Sequence, residues 1–210
     1  MSVHVNRVIG LAGILMLVLL ASSDRAWALG FIDISNVAFA TVSDKQASIP
    51  VGHAKFCRTH ASECQVNVDY VQAENLSDTR WQQLLEINSF YNTTIIPMTD
   101  EALYQTTEFW TYPNGYGDCE DYALAKRRAL ISAGWPASTL MIAVVRQPNG
   151  EGHAVLMART DRGDLILDNQ ESLIKLWNDT PYQYVKRQSQ YDSGEWVDIY
   201  DDRPTFVASR

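Results

Sequence analysis

The stretch from residue 119 to residue 169 limits the possible folds more than any other. Residues 119–133 read as a helix, with Ala123, Leu124, Leu130 and Ile131 on its inner side, and Gly134 and Pro136 stop it. Three short apolar runs follow: "TLMIAVVR" (139–146), "HAVLMART" (153–160) and "LILDN" (165–169). The turn sequences "QPNGEG" and "DRGD" separate them. Connections this short join antiparallel neighbours, so the pattern predicts a helix followed by an antiparallel meander, an α+β domain.

Upstream, "SDTRWQQLLEINSFYN" (77–92) carries Trp81, Leu84, Leu85, Asn88 and Tyr91 at helical spacing, with Ser77 or Asp78 as N-cap. "TDEALYQT" (99–106) reads as a short capped helix, and the aromatic, turn-rich "WTYPNGYG" (110–117) as a loop. Residues 29–70 read as irregular, short strands or loops laid on the core. The sequence holds no repeat and no low-complexity tract.

The first 28 residues have the parts of a secretory signal: Arg7 in the n-region, the apolar "VIGLAGILMLVLLAS", and Ala26-Trp27-Ala28 as a small-x-small cleavage site. An uncleaved membrane anchor is the alternative, but the apolar run falls short of the ~20 residues a spanning helix needs. The expected organisation is therefore a signal at 1–28 and one domain at 29–210 of an exported, periplasmic protein. The formal net charge of the chain is −8. So acidic a balance argues against nucleic acid and anionic membrane surfaces as partners.

Three cysteines are an odd number for an oxidising compartment. Cys57 and Cys64, in "CRTHASEC", can pair and leave Cys119 free. A metal site with His53 and His60 is the competing reading, although the spacing matches no zinc signature well.

Cys119 lies in "GDCED", between Asp118 on one side and Glu120 and Asp121 on the other. Nearby negative charge raises a thiol's pKa, so this is a poor setting for a nucleophile unless something positive offsets it. The start of a helix supplies unpaired N–H groups and the positive end of the dipole, which lower the thiol pKa and can hold an oxyanion. His153 opens the second strand and Asp168 closes the third. If the turn between them centres on Asp161–Arg162, Asp168 is the diagonal same-face neighbour of His153, within side-chain reach. If it centres on Arg162–Gly163, Asp168 slides away along the strand. In the first register Cys119, His153 and Asp168 form a nucleophile, a base and the group that orients the base.

The blocks "GDCEDYALAKRRALISAGWP", "GEGHAVL" and "LILDNQ", with "FWTYP" before the cysteine and "YVKRQS" after the aspartate, resemble the bacterial transglutaminase-like cysteine peptidases of the LapG type. The resemblance spans roughly residues 77–200. It implies a papain-like, transglutaminase-like core, in which a helical lobe with the catalytic cysteine at a helix N-terminus packs on an antiparallel sheet. It implies Cys119, His153 and Asp168 as the catalytic triad. It also implies a calcium requirement, with Asp118 and Glu120 as the matching acids; Asp121, next in sequence, is a candidate further ligand outside that match. A Ca²⁺ ion takes six to eight oxygen ligands and would neutralise these acids. The alternative for Asp121 is an exposed first-turn acid favoured by the helix dipole.

The reading that follows is a calcium-dependent periplasmic endopeptidase. Members of such a family cut the periplasmic end of large surface adhesins, and an inner-membrane c-di-GMP receptor sequesters them. Acyl transfer to an amine, as in a true transglutaminase, uses the same triad with a different second substrate. A non-catalytic binding module fits less well, because all three triad residues are present. Trp110, Tyr112 and Tyr116 are candidates either for the substrate cleft or for core packing. The Asn-x-Ser/Thr matches at Asn75, Asn92 and Asn178 are read as chance.

Overall fold

A computed structural model describes residues 37–204 of the chain, together with Met1. The signal expected at residues 1–28 lies outside the described residues. The elements run β1 (Thr41–Gln46), α1 (Val51–Thr59), α2 (Asp78–Thr94), β2 (Ile96–Pro97), α3 (Asp100–Tyr104), β3 (Tyr116–Gly117), α4 (Cys119–Ser132), β4 (Leu140–Arg146), β5 (Gly152–Thr160), β6 (Gly163–Leu167), β7 (Lys175–Leu176), β8 (Gln183–Gln188) and β9 (Trp196–Tyr200). Among the described residues, no helix is long and apolar enough to cross a membrane.

Strands β4, β5 and β6 form the expected meander, at the centre of a seven-stranded antiparallel sheet ordered β1-β9-β8-β4-β5-β6-β7. Side chains alternate between its faces. Leu140, Ile142, Ala154, Leu156, Ala158, Leu165 and Leu167 face the main core, where they meet Leu84, Ala123, Leu124 and Leu130 of α2 and α4. Met141, Ala143, Val145, Val155, Met157 and Ile166 face a second core with Ala40, Tyr182, Tyr184 and Ile199. Both faces are buried, which is why these strands read as unbroken apolar runs rather than as alternating ones.

The β5–β6 register follows from one turn. Thr160 pairs with Gly163, leaving Asp161 and Arg162 as a two-residue turn. Gly163 has φ 109°, and a Cβ there would lie 2.5 Å from the Ala38 carbonyl oxygen, so the position needs glycine. The third strand thus begins two residues before the expected 165 and ends at Leu167, which places Asp168 just beyond it.

The capped helices start where their caps put them. Ser77 Oγ accepts the Arg80 N–H at 3.2 Å to open α2, and Thr99 Oγ1 accepts that of Ala102 to open α3. The described part of 29–70 contains a short strand, β1, in line with the expectation, and a helix, α1, which departs from it. Helix α1 gave little signal because Pro50 at its N-cap makes no side-chain cap, and because its buried face is Gly52, His53 and Phe56. Gly52 is required by packing, since a Cβ would fall 2.2 Å from Trp110 Cδ1. Tertiary contacts, not helix propensity, hold this segment.

Candidate active site

Cys119 is the first residue of α4, and the sheet lies beneath it. The first hydrogen bond of the helix runs from the Tyr122 N–H to the Asp118 carbonyl, so the N–H groups before it have no partner inside the helix. The half-buried Cys119 thiol donates to Glu120 Oε2 at 3.2 Å. The backbone N–H of Ala154, the residue after His153, acts on the sulfur to lower its pKa. Burial pushes the thiol well above its ordinary range, and the charge and hydrogen bond of Glu120 and the charge of Asp118 push it further, against the pull of the Ala154 N–H.

His153 and Asp168 meet as the first of the two registers requires. His153 Nε2 lies 2.9 Å from Asp168 Oδ1, with both side chains buried. Asp168 Oδ1 also accepts the Gln170 N–H at 2.9 Å, and Oδ2 accepts the Tyr182 hydroxyl. Burial raises the Asp168 pKa, but the bonds from His153, Gln170 and Tyr182 outweigh it and the net shift is downward. Asn92 Nδ2 donates to the Asp168 carbonyl at 2.8 Å, so this half-buried asparagine ties α2 to the site.

Two further polar groups behind the site carried no motif. Tyr182 sits at the entry to β8, far along the sequence from the residues it touches. Lys126 of α4 is fully buried, donates to Asn88 Oδ1 at 2.8 Å, and is pushed by burial down to about 7, with the nearby Asp168 charge acting against the shift. A lysine within an otherwise apolar helix face was the one available sign of it.

The acids beside the thiol are buried, not solvated: Glu120 is 5% exposed and Asp121 fully covered. Asp118 occupies the N-cap position of α4 but makes no side-chain cap. Its Oδ2 accepts the Asp100 N–H at 3.2 Å instead. Asp100, Asp118 and Glu120 each offer an oxygen, and these oxygens lie within 4.8 Å of one another. Asp100 thus joins Asp118 and Glu120 in the place where Asp121 was expected. Asp121 is adjacent: Oδ1 accepts the Thr111 N–H at 2.9 Å, and a Cβ at Gly117 would sit 2.7 Å from Oδ2. Asp100 escaped the sequence reading because α3 lies eighteen residues upstream of Asp118 and reads simply as a capped helix.

Among the described residues, the ion pairs involve none of these four acids. One oxygen each of Asp100, Asp118 and Asp121 is buried without any partner. Burial pushes Glu120 up to about 9 and Asp121 up to about 8, and the charge of Asp118 adds to both. Burial also raises Asp118, with the charge of Asp100 adding to it. Clustered, unpaired carboxylate oxygens in a buried site are the donor set a hard divalent cation takes.

Cys57 and Cys64 are joined by a disulfide, and Cys119 is free. The bond lies against His53, whose ring nitrogens are 3.6 and 3.7 Å from the Cys57 sulfur. Trp110 packs on His53 and Trp196 in the core rather than lining a cleft. Tyr112 is partly covered by Phe56 and by the Arg128 guanidinium, 3.5 Å above its ring, whereas Tyr116 is exposed.

A family model described as bacterial transglutaminase-like cysteine proteinase matches residues 43–204. Similar solved structures include calcium-bound LapG of Legionella pneumophila, with 29% identity, coverage of 56% of this chain and 68% of that one, and a TM-score of 0.49. LapG of the same organism gives 24% identity, coverage of 71% and 90%, and a TM-score of 0.47. Its EGTA-treated form gives 24% identity, coverage of 74% and 92%, and a TM-score of 0.48. A comparison with curated proteins gave no match.

Proposed function

The chain belongs to the bacterial transglutaminase-like cysteine proteinase family and is a cysteine peptidase, and from that premise we propose that Cys119, His153 and Asp168 are its catalytic residues. The observation that carries this reading is the buried His153–Asp168 bond, with Cys119 at the start of the helix that packs on the His153 strand. Because Nε2 is committed to Asp168, Nδ1 is the ring nitrogen left to take the Cys119 proton. The thiolate attacks the scissile carbonyl carbon. The oxyanion that forms is received by N–H groups at the start of α4 that have no partner within the helix. His153 then protonates the departing amine, and it later takes a proton from the water that releases the acyl group. Asp168 keeps the imidazole in one tautomer throughout.

The second part of the proposal is that activity requires Ca²⁺. Its support is the set of buried, unpartnered carboxylate oxygens at Asp100, Asp118 and Asp121. Asp100, Asp118 and Glu120 would hold the ion, with Asp121 alongside. When bound it supplies the positive charge that lets these acids ionise beside the thiol. The calcium-bound state of a similar LapG agrees with this choice of ion.

As a peptidase the protein acts on a protein substrate. The family resemblance favours the periplasmic end of a large surface adhesin as that substrate, with an inner-membrane c-di-GMP receptor as regulator, and the signal expected at residues 1–28 would carry the protein to the periplasm. The test is the intact mass of a candidate substrate incubated with wild type and with Cys119→Ala. Cleavage by wild type alone supports the proposal. A cross-linked product would indicate acyl transfer to an amine, and cleavage by Cys119→Ala at the wild-type rate would end the nucleophile assignment.

A further inference from the structure

We propose that Tyr182 is a positioning residue of the catalytic centre, acting on His153 through Asp168; the inference rests on the catalytic reading above. Tyr182 touches both members of the pair. Its hydroxyl donates to Asp168 Oδ2, and its ring packs edge-on against His153 with centroids 5.5 Å apart. Burial raises the hydroxyl's pKa, and the Asp168 bond and charge raise it further, so the group stays a donor.

Asp168 Oδ1 serves His153 and the Gln170 N–H. The tyrosine hydroxyl is the donor on Oδ2. With both oxygens engaged, the carboxylate plane cannot turn away from the imidazole. The plane needs such a restraint because a cavity of about 200 Å³, lined in part by Gln170, Pro181 and Tyr182, borders Asp168. Without the tyrosine hydroxyl, the carboxylate has room to rotate.

The tyrosine is itself anchored. Its carbonyl accepts from Arg203 Nη2 at 2.6 Å. Asp201 holds that guanidinium through two contacts of 2.8 Å, and the guanidinium lies over the Trp177 ring at 4.7 Å. This C-terminal segment therefore fixes the backbone of Tyr182, and through it the orientation of the base. An apolar ring of the same shape would fill the space but leave Oδ2 unbonded.

The test needs no natural substrate. Cys119 is the free thiol, so its alkylation rate with iodoacetamide, in added Ca²⁺, reports the activation of the nucleophile. Tyr182→Phe should slow alkylation about tenfold, the scale of one lost hydrogen bond to a charged group, with little change in melting temperature. In an Asp168→Asn background the same change should slow it no further. Wild-type alkylation by Tyr182→Phe overturns the proposal, and so does an equal slowing in both backgrounds, which would mean a general packing effect. A Tyr182→Phe protein that melts far below wild type also overturns it, because the role would then be structural. If instead wild-type Cys119 reacts no faster than in His153→Ala, the catalytic reading itself fails, and the two failures are distinguishable.

Discussion

His153 and Asp168 are fifteen residues apart in sequence, yet their side chains are 2.9 Å apart. The cause is the two-residue turn at Asp161–Arg162. Pairing Thr160 with Gly163 sets Asp168 on the same face of the sheet as His153 and one diagonal step away. Moving the turn to Arg162–Gly163 would keep Asp168 on that face but slide it two residues further from His153 and break the contact.

From this geometry, Cys119→Ala and His153→Ala should each lower cleavage by about 10⁴-fold or more, as removal of a nucleophile or its base does elsewhere. Both proteins should keep the wild-type near-ultraviolet circular dichroism. Asp168→Asn should retain more activity, because its amide oxygen can still accept from the ring. Substrate cleavage at the wild-type rate by either alanine variant would contradict the assignment.

The helices at 77–92, 99–106 and 119–133 were legible because each carries a start signal: Ser77 and Thr99 as caps, and the turn before Cys119. The central strands were legible because their apolar runs are bounded by tight turns. The bounds of strands β1 and β8 were not, since "TVSDKQ" and "QYVKRQ" are polar and acquire strand geometry only through pairing. The pairing of His153 with Asp168 was half-legible, because two registers shared the same face and only the turn separates them. Asp100 and Tyr182 were invisible, because long-range packing brings each to the site and no local pattern marks either.

Cys57 and Cys64 close a loop with a sequence separation of seven. So short a loop restricts the unfolded chain little, and reduction should cost on the order of 2 kcal/mol. Alkylation of denatured, non-reduced protein should label one cysteine, Cys119, and mass spectrometry of the peptides would locate it. Labelling of three would show that the pair is absent in solution.

His53 is 1% exposed. Its Nδ1 accepts the Trp196 indole N–H at 3.1 Å, and the Gln188 amide nitrogen lies 3.2 Å from its Nε2. Burial pushes its pKa down to about 4, and the charge of Arg127 lowers it as well. The folded state therefore resists protonation while the unfolded chain accepts a proton below about 6.5. Stability contributed by neutral His53 is present above pH 6.5 and is lost as pH falls towards 4, by on the order of 3 kcal/mol. His53→Gln cannot titrate and can still accept from Trp196. Melting temperatures between pH 7 and pH 4 should fall more steeply for wild type than for this variant, and parallel curves would refute the assignment.

The acids around Cys119 yield the sharpest expectation. As free carboxyls they disfavour the thiolate, and Glu120 and Asp121 stay largely protonated at neutral pH, with pKa values of about 9 and about 8. A bound cation reverses both effects. Calcium binding at pH 7 should therefore expel protons from these groups into a weakly buffered solution. Its affinity should rise as pH rises towards 9, because fewer protons then compete for the oxygens. Cleavage should disappear in EGTA and return with Ca²⁺, whereas Mg²⁺ should substitute poorly, since it demands tighter octahedral geometry and gives up water reluctantly. Asp118→Ala, Glu120→Ala and Asp100→Ala should mimic EGTA without altering the thiol itself. If the acids served only as helix-start residues, each change would alter stability by ~0.3–1 kcal/mol and leave activity nearly unchanged. A calcium titration of cleavage for wild type and the three variants decides between these outcomes. Full wild-type activity in excess EGTA would remove the cation from the mechanism, and the thiolate would then have to form among four clustered acids with no counter-charge.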